Sequence, residues 1–223
     1  MVHCGDGHAE TSGIAHIFFA QLVFARALRQ VRDMSDFADT PELYILRHGE
    51  TEWNAEGRMQ GALNSPLTPK GEMDAARQGE ILRTCNLDGF VFLCSPQGRA
   101  FQTAGIALAR LASRIRTDDR LREIGVGDWS GLLRSDLPMP EGKDPFMAQY
   151  EIAPNGEGFA RLEERCRAFL ADLTGPAVVV THGITSRMLR SLIVGNDALA
   201  LPTVHGGQGC VYHLKNGQQT LLE

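Results

Sequence analysis

Along the chain, short unbroken apolar runs alternate with longer stretches in which apolar residues return every three or four positions. Leu43 to Leu46 is such a run, and its lack of polar alternation predicts a strand buried on both faces. Thr68-Pro69 then reads as an N-cap and first helical residue, with Met73, Ala76 and Ile81 carrying a helix toward Cys85. Phe90 to Cys94 predicts a second strand. Gly98 to Ser113 predicts a second helix, with Phe101, Ala104, Leu108, Leu111 and Ala112 at helical spacing. From Arg116 to Gly156 the chain is rich in Gly, Pro and charge, which reads as loops with short elements, an excursion long enough to cover a site. Beyond it come a helix over Glu157 to Leu173, a β-branched strand over Ala177 to Val180, and a helix over Ile184 to Val194. A last strand, Cys210 to Leu214, turns at Asn216-Gly217 into a short terminal strand.

Strands alternating with helices predict an α/β fold, a three-layer sandwich with a mostly parallel central sheet flanked by helices. Such sheets bind ligands at the carboxyl ends of their strands. The 223 residues suit one catalytic domain, placed at 42–223, preceded by an extension at 1–41. Within that extension Ile14 to Val31 could form a helix, but Gln21 interrupts its apolar stretch and it falls short of the roughly 20 residues a membrane span needs. A cleavable export signal is disfavoured because Asp6 and Glu10 precede the apolar run without any Lys or Arg. His3, Cys4, Asp6 and His8 lack a defined ligand spacing and read as an incidental terminus rather than a metal cluster. Met34 looks like a natural start for a strand-first domain, so residues 1–33 are expected to be dispensable or untranslated.

Composition narrows the partners. With 43% hydrophobic residues, 22% charged residues and a net charge of -5, no global basic field advertises nucleic acid or an anionic membrane. Five cysteines with no CxxC pair argue against a zinc site and against a secreted disulfide framework, and favour a reducing cytoplasm. A monomer and a homodimer are equally compatible with the sequence.

Unusual polar residues sit at three predicted strand ends: Arg47-His48, Ser95 with Arg99 just inside the next helix, and Thr181-His182. One strand-end histidine alone would read as a structural residue bonded to nearby backbone. Two histidines and two arginines at equivalent ends suit a dianionic tetrahedral group, because guanidinium forks bind phosphate oxygens and helix N-termini add N–H donors. The arginines also disfavour a protonated imidazole, leaving His48 neutral and nucleophilic near pH 7.

These motifs, RHGE at Arg47 to Glu50, SPxxRAxQTA at Ser95 to Ala104 and THG at Thr181 to Gly183, resemble the histidine phosphatase superfamily, also called phosphoglycerate mutase-like. Trp53-Asn54, Gly57-Arg58, Gln60-Gly61, Pro66-Leu67-Thr68 and Gly71 follow in the family's order, from about Glu42 to the C-terminus. The resemblance implies that His48 attacks phosphorus while Arg47, Arg99 and His182 hold the phosphoryl oxygens. It also implies that Glu123, in Leu121-Arg122-Glu123, protonates the leaving oxygen and then activates water. Without the resemblance, Glu123 could equally be a surface residue paired with Arg120 or Arg122. Asn54, Gln60 and Gly61 match substrate-side positions; Glu50 and Thr51 flank the nucleophile and could equally cap the loop; and Glu157 matches a motif glutamate, giving it a substrate-binding assignment. Trp53, Trp129, His205 and His213 read as packing, structural or exposed residues. Departures from the family pattern fall at Asn64, Ser130 and Gly158, which touch the leaving-group preference and not the core residues.

Competing signatures fail. Cys94 and Arg99 have four residues between them where a cysteine phosphatase needs five, and the spacing of Gly125, Gly127 and Gly131 fits no dinucleotide loop. Neither a Walker loop nor HExxH occurs, so no cofactor or metal is expected. Within the family, mutases carry a longer insertion with paired basic residues, whereas Leu132 to Ala153 is short and offers Arg134 and Lys143. The expectation is a phosphomonoesterase for a phosphorylated small molecule, against a mutase or a non-catalytic phospholigand sensor.

Overall fold

The computed structural model describes residues 37, 39–141, 144–195, 201, 204 and 206–223. The helix expected over 14–31, the His3, Cys4, Asp6 and His8 set, Met34, Lys143 and His205 lie outside the described residues. Among those described, six strands form one mixed sheet: β1 (Leu43–Arg47), β2 (Val91–Cys94), β3 (Arg116–Thr117), β4 (Ala177–Thr181), β5 (Val211–Lys215) and β6 (Gln218–Leu222). Their order is β3-β2-β4-β1-β5-β6, with β3, β2, β4 and β1 parallel to one another and the β5–β6 hairpin antiparallel at the other edge.

β4 lies at the centre, and all five of its residues are buried. Alternation along the two central strands divides the core. Leu43, Ile45, Ala177 and Val179 face one layer, while Tyr44, Leu46, Val178 and Val180 face the other. Each buried Val or Leu contributes about 1.5–3 kcal/mol of transfer free energy, so this double-sided burial fixes strand register as well as stability. The first layer holds α5 (Gly158–Ala171) and α6 (Gly183–Ile193). The second holds α2 (Pro69–Arg83) and α3 (Gly98–Ala107), completing the three-layer sandwich. α1 (Glu52–Ala55) follows β1, and α4 (Pro145–Ile152) lies in the excursion between β3 and α5.

Local chemistry sets the helix ends. Thr68 Oγ1 accepts from Gly71 N at 3.0 Å and Pro69 supplies a preset φ, which starts α2 where the sequence places it. The helix expected to run to Ser113 instead ends at Ala107, where Leu108 leaves helical geometry at φ -106°. Its apolar spacing continues because Leu108, Leu111 and Ala112 turn back onto the same core layer. Within 116–156, the expected loops with short elements include β3 and α4, neither of which was placed from the sequence. A third small cluster, Met59, Val126, Trp129, Leu137 and Ala153, packs this excursion against the segment after α1.

Register places the chemistry. Arg47 pairs with Thr181 and Cys94 with Val180, and the ladder continues as His48 N donates to Thr181 O and Ser95 N to Val180 O, both at 2.9 Å. Arg47-His48, Ser95 and Thr181-His182 therefore emerge side by side at the carboxyl edge of three adjacent parallel strands.

Candidate active site

Behind His48 the backbone is drawn tight against α2. A Cβ on Gly49 would stand 2.1 Å from Gly71 O, and one on Gly71 would stand 2.0 Å from Glu50 O, so both positions require glycine. Gly49 N donates to Thr103 Oγ1 at 3.1 Å, joining the loop to α3. In this frame His48 Nδ1 bonds Gly49 O at 2.7 Å, and Arg99 Nε donates to His48 Nε2 at 3.3 Å. A carbonyl oxygen only accepts and a guanidinium only donates, so these two neighbours dictate a ring with its proton on Nδ1 and its lone pair on Nε2.

Arg99 is buried, with 1% of its surface exposed, and its fork is held by Leu63 O at 2.7 Å and Gly61 O at 3.0 Å. Its helix is not capped by the Gln97 side chain. Asn64 Oδ1 accepts from Arg99 N at 2.8 Å instead, which gives the departure at Asn64 a capping role. His182, the N-cap residue of α6, lies with its ring centroid 5.2 Å from that of His48. Ser95 Oγ accepts from Gln97 N and stands 2.8 Å from His182 Nε2, within hydrogen-bond reach.

His182 Nδ1, Arg47 Nε and Gln60 Oε1 are buried without a hydrogen-bond partner among the described residues. Buried polar atoms are seldom left so, and Arg47 Nε, which can only donate, is the kind of group that an anion would satisfy. Burial above all, then Arg99 and Arg47, pushes the His48 pKa well below its ordinary value; burial and Arg99 lead the same shift in His182. Both rings are neutral at pH 7. Arg99 is lowered to about 10 by burial, with Glu123 acting in the opposite direction, and it stays charged.

Glu123 reaches the site from the excursion. Its carboxylate accepts from Ile184 N and Thr185 N, each at 3.1 Å, in the first turn of α6, and from Ile124 N at 3.0 Å. It does not pair with Arg120 or Arg122, which bond Asp118, Asp172 and Asp119. A cavity of about 140 Å³ is lined by His48, Arg47, Arg99, Glu123, Asn54, Gln60 and Gly61, together with Arg134 and Tyr150. Arg47, Glu123, Arg134 and Tyr150 also border a second cavity of about 330 Å³, which Asp144, Phe146, Met147, Ile184 and Arg187 line as well. A larger cleft of about 460 Å³ opens near the amino ends of β2 and β4, away from this chemistry.

Three expected substrate-side residues are placed elsewhere. Thr51 is the N-cap of α1, bonded to Asn54 N and to Gln60 Nε2. Glu50 faces Thr68 and Lys70. Glu157 does not line either site cavity: Arg165 takes both its oxygens and Gly125 N donates to one, a partly buried ion pair. Ser130 Oγ donates to Gly127 O, and Gly158 takes φ +71° at the start of α5, so both remaining departures serve the backbone. Sequence reasoning missed Gln97, whose amide joins Gly61 O to Glu123 N, and Gln208, which donates to His48 O at 3.1 Å. It also left Tyr150 unmentioned. Gln97 is a variable position inside SPxxRAxQTA, and no spacing in the sequence links Gln208 or Tyr150 to the motifs.

Comparison with known proteins agrees with this geometry. The model of the histidine phosphatase superfamily, branch 1, matches residues 43–221. The chain belongs to this superfamily. As a histidine phosphatase superfamily member it is 35% identical over 170 residues to the probable phosphoglycerate mutase GpmB of Salmonella arizonae, covering 71% of this chain and 77% of that one. Among solved structures it is similar to the alpha-ribazole phosphatase of Shigella flexneri, with TM-score 0.69 and 27% identity over 81% of this chain and 94% of that chain. A mycobacterial glucosyl-3-phosphoglycerate phosphatase gives TM-score 0.66 and 28% identity, covering 81% and 96% respectively. The superfamily is catalytic, with phosphatase and mutase members. Among the described residues no helix is long and apolar enough to cross a membrane, and no group of three or more His, Cys, Asp or Glu could hold a metal ion.

Proposed function

We propose that this protein is a phosphomonoesterase that hydrolyses a phosphorylated small molecule through a covalent phosphohistidine on His48, with Glu123 as acid and base. The observation that carries the reading is the tautomer imposed on His48 by Gly49 O and Arg99 Nε, which leaves an unprotonated ring nitrogen among arginines. A phosphoryl dianion entering the 140 Å³ cup offers oxygens to Arg47, Arg99 and His182 Nδ1. When an oxygen takes over the Arg99 Nε–H, the Nε2 lone pair is freed for attack.

The Nε2–P bond forms as the ester P–O bond breaks, and the departing oxygen keeps the electron pair and takes a proton from Glu123. Water then gives a proton back to Glu123 and attacks phosphorus, the N–P bond breaks, and inorganic phosphate leaves. The arginines supply the positive charge that stabilises both transition states, so turnover is expected to survive a chelator. The 330 Å³ cavity beyond Glu123 suits the leaving group, with apolar faces from Phe146, Met147 and Ile184 and a cation from Arg187.

A mutase reading is favoured by the likeness to the protein named probable phosphoglycerate mutase. Against it, the cover spans a short segment with one eight-residue helix, a poor enclosure for a step that must exclude water, and two of the similar structures are phosphatases. Acid quenching after a labelled phosphoester tests the chemistry: label is expected on His48 in the wild type, with neither label nor turnover in His48→Ala. Turnover surviving in His48→Ala would overturn it. Release of inorganic phosphate, rather than phosphate moved between carbons of a phosphoglycerate, separates hydrolysis from the mutase reaction; binding without turnover would mark a sensor.

A further inference from the structure

We infer that Gln97 is a positioning residue for the acid and base, holding Glu123 in register with the phosphoryl cup. The inference rests on the role proposed above for Glu123. Gln97 occupies the N-cap of α3 at φ -70° and ψ 134°, yet its side chain makes no cap, because Asn64 from another segment takes the N–H of Arg99. The amide is turned away from its own helix and is buried, with 6% exposed. Burying an amide is unfavourable unless both ends are bonded. Here Oε1 accepts from Glu123 N at 2.7 Å and Nε2 donates to Gly61 O at 2.7 Å.

The two partners belong to the two halves of the proposed reaction. Gly61 O also receives Arg99 Nη2, the guanidinium that reaches His48, so one end of the Gln97 amide is fixed to the cup. The other end holds the backbone of the residue whose carboxylate meets the leaving oxygen. Gln97 N additionally bonds Ser95 Oγ, the partner of His182. The Glu123 carboxylate is fixed to the first turn of α6, but its main chain is tied to the cup side through Gln97. Loss of this tie lets the carboxylate drift from the bridging oxygen while the cup keeps His48, Arg47, Arg99 and His182.

A leaving-group series tests this. For Gln97→Leu, kcat/KM for an alkyl phosphate, whose alkoxide needs a proton, is expected to fall by about 100-fold, the scale of a 1 Å misplacement. For p-nitrophenyl phosphate, whose phenolate leaves unaided, the loss is expected to stay below about 3-fold, because general-acid help follows the basicity of the leaving oxygen. Competitive inhibition by inorganic phosphate should be unchanged within about 3-fold, since Arg47 and Arg99 keep the cup. Glu123→Gln, measured alongside, should show the same leaving-group dependence, and adding Gln97→Leu to it should cost little more.

A selective effect in Glu123→Gln without one in Gln97→Leu overturns the positioning role alone. No selectivity in Glu123→Gln overturns the proposed acid and, with it, this inference. A weakening of phosphate inhibition that matches the loss in kcat/KM would place Gln97 in service of the cup and also overturn it. Gln97→Ala provides the same readout should Gln97→Leu fold poorly.

Discussion

Replacing Arg99 by lysine keeps a positive charge at the site but removes the planar fork. Arg99 spends separate N–H groups on His48 Nε2, Leu63 O and Gly61 O, and a lysine ammonium at the end of a flexible stem cannot reproduce that geometry. Gly61 O would still receive Gln97 Nε2, whereas the bond to Leu63 O and the donor at His48 are lost. Hydrogen bonds to charged groups are worth about 1.5–3 kcal/mol net each, so losing two in Arg99→Lys is expected to cost about 3–6 kcal/mol of stability, read by urea unfolding with an unchanged m-value. With the proposed phosphoryl-oxygen donor misplaced, kcat/KM should fall by about 10²–10³-fold. The surroundings carry a further signature. They lower Arg99 to about 10, burial above all, with Glu123 opposing and the nearby Arg47 adding to the shift. The same burial would lower the pKa of a lysine below its ordinary value. A lysine is charged below its pKa and neutral above it, so the residual activity of the variant should decline on the alkaline side at a lower pH than that of the wild type. Retention of kcat/KM within about tenfold, or an identical alkaline profile, would refute the view that the fork matters beyond its charge.

Three further outcomes follow from packing and burial. His48 and His182 have folded pKa values depressed below the ordinary 6.5, so as pH falls below about 6.5 the unfolded chain gains protons that the folded chain does not. Stability should drop by up to about 1.4 kcal/mol per pH unit for each ring, and His48→Asn should remove one ring's share in urea titrations between pH 7.5 and 5.5; equal slopes would refute the depression. Gly49→Ala should destabilise by more than about 3 kcal/mol or abolish soluble folding, because its Cβ would meet backbone that cannot rotate away; an unshifted thermal midpoint would contradict the close approach. Asn64→Ala should cost about 1 kcal/mol and Asn64→Asp should preserve or raise stability through the N-terminal dipole of α3, both read by thermal unfolding.

The three inner parallel strands, β1, β2 and β4, and their strand-end residues were legible because each signal was local. β1 and β4 are unbroken apolar runs, and their ends carry Arg47-His48 and Thr181-His182 directly in sequence. The excursion was not legible for a physical reason. In α4 the buried positions include Gln149, whose amide satisfies Arg134 O and Pro138 O, while Phe146 and Ile152 are exposed. A helix with an amide inside and a phenyl ring outside reverses the pattern that apolar periodicity detects. β3 is two exposed residues long and leaves no pattern at all. The motif letter at Glu157 says nothing of a partner eight positions later: Arg165 stands two turns along α5 and bonds the carboxylate.

The contacts that escaped the sequence are those between the strand-end cup and the excursion, and this division separates chemistry from selectivity. His48, Arg47, Arg99 and His182 depend on β1, β2, β4 and the helices that follow them, where almost any substitution disturbs the core. Arg134 instead gathers the cover: it bonds Phe146 O at 3.0 Å and Tyr150 OH at 2.6 Å and lies 4.9 Å from the Tyr150 ring centroid. Arg134 and Tyr150 line both cavities, so a change in α4 reshapes the space for the leaving group without moving the strand ends. On the proposed reading, one cup would serve different phosphoesters through substitutions in a short, partly exposed helix. The cover must still remain in register with the cup, and between Gly61 and Glu123 that register passes through the amide of Gln97.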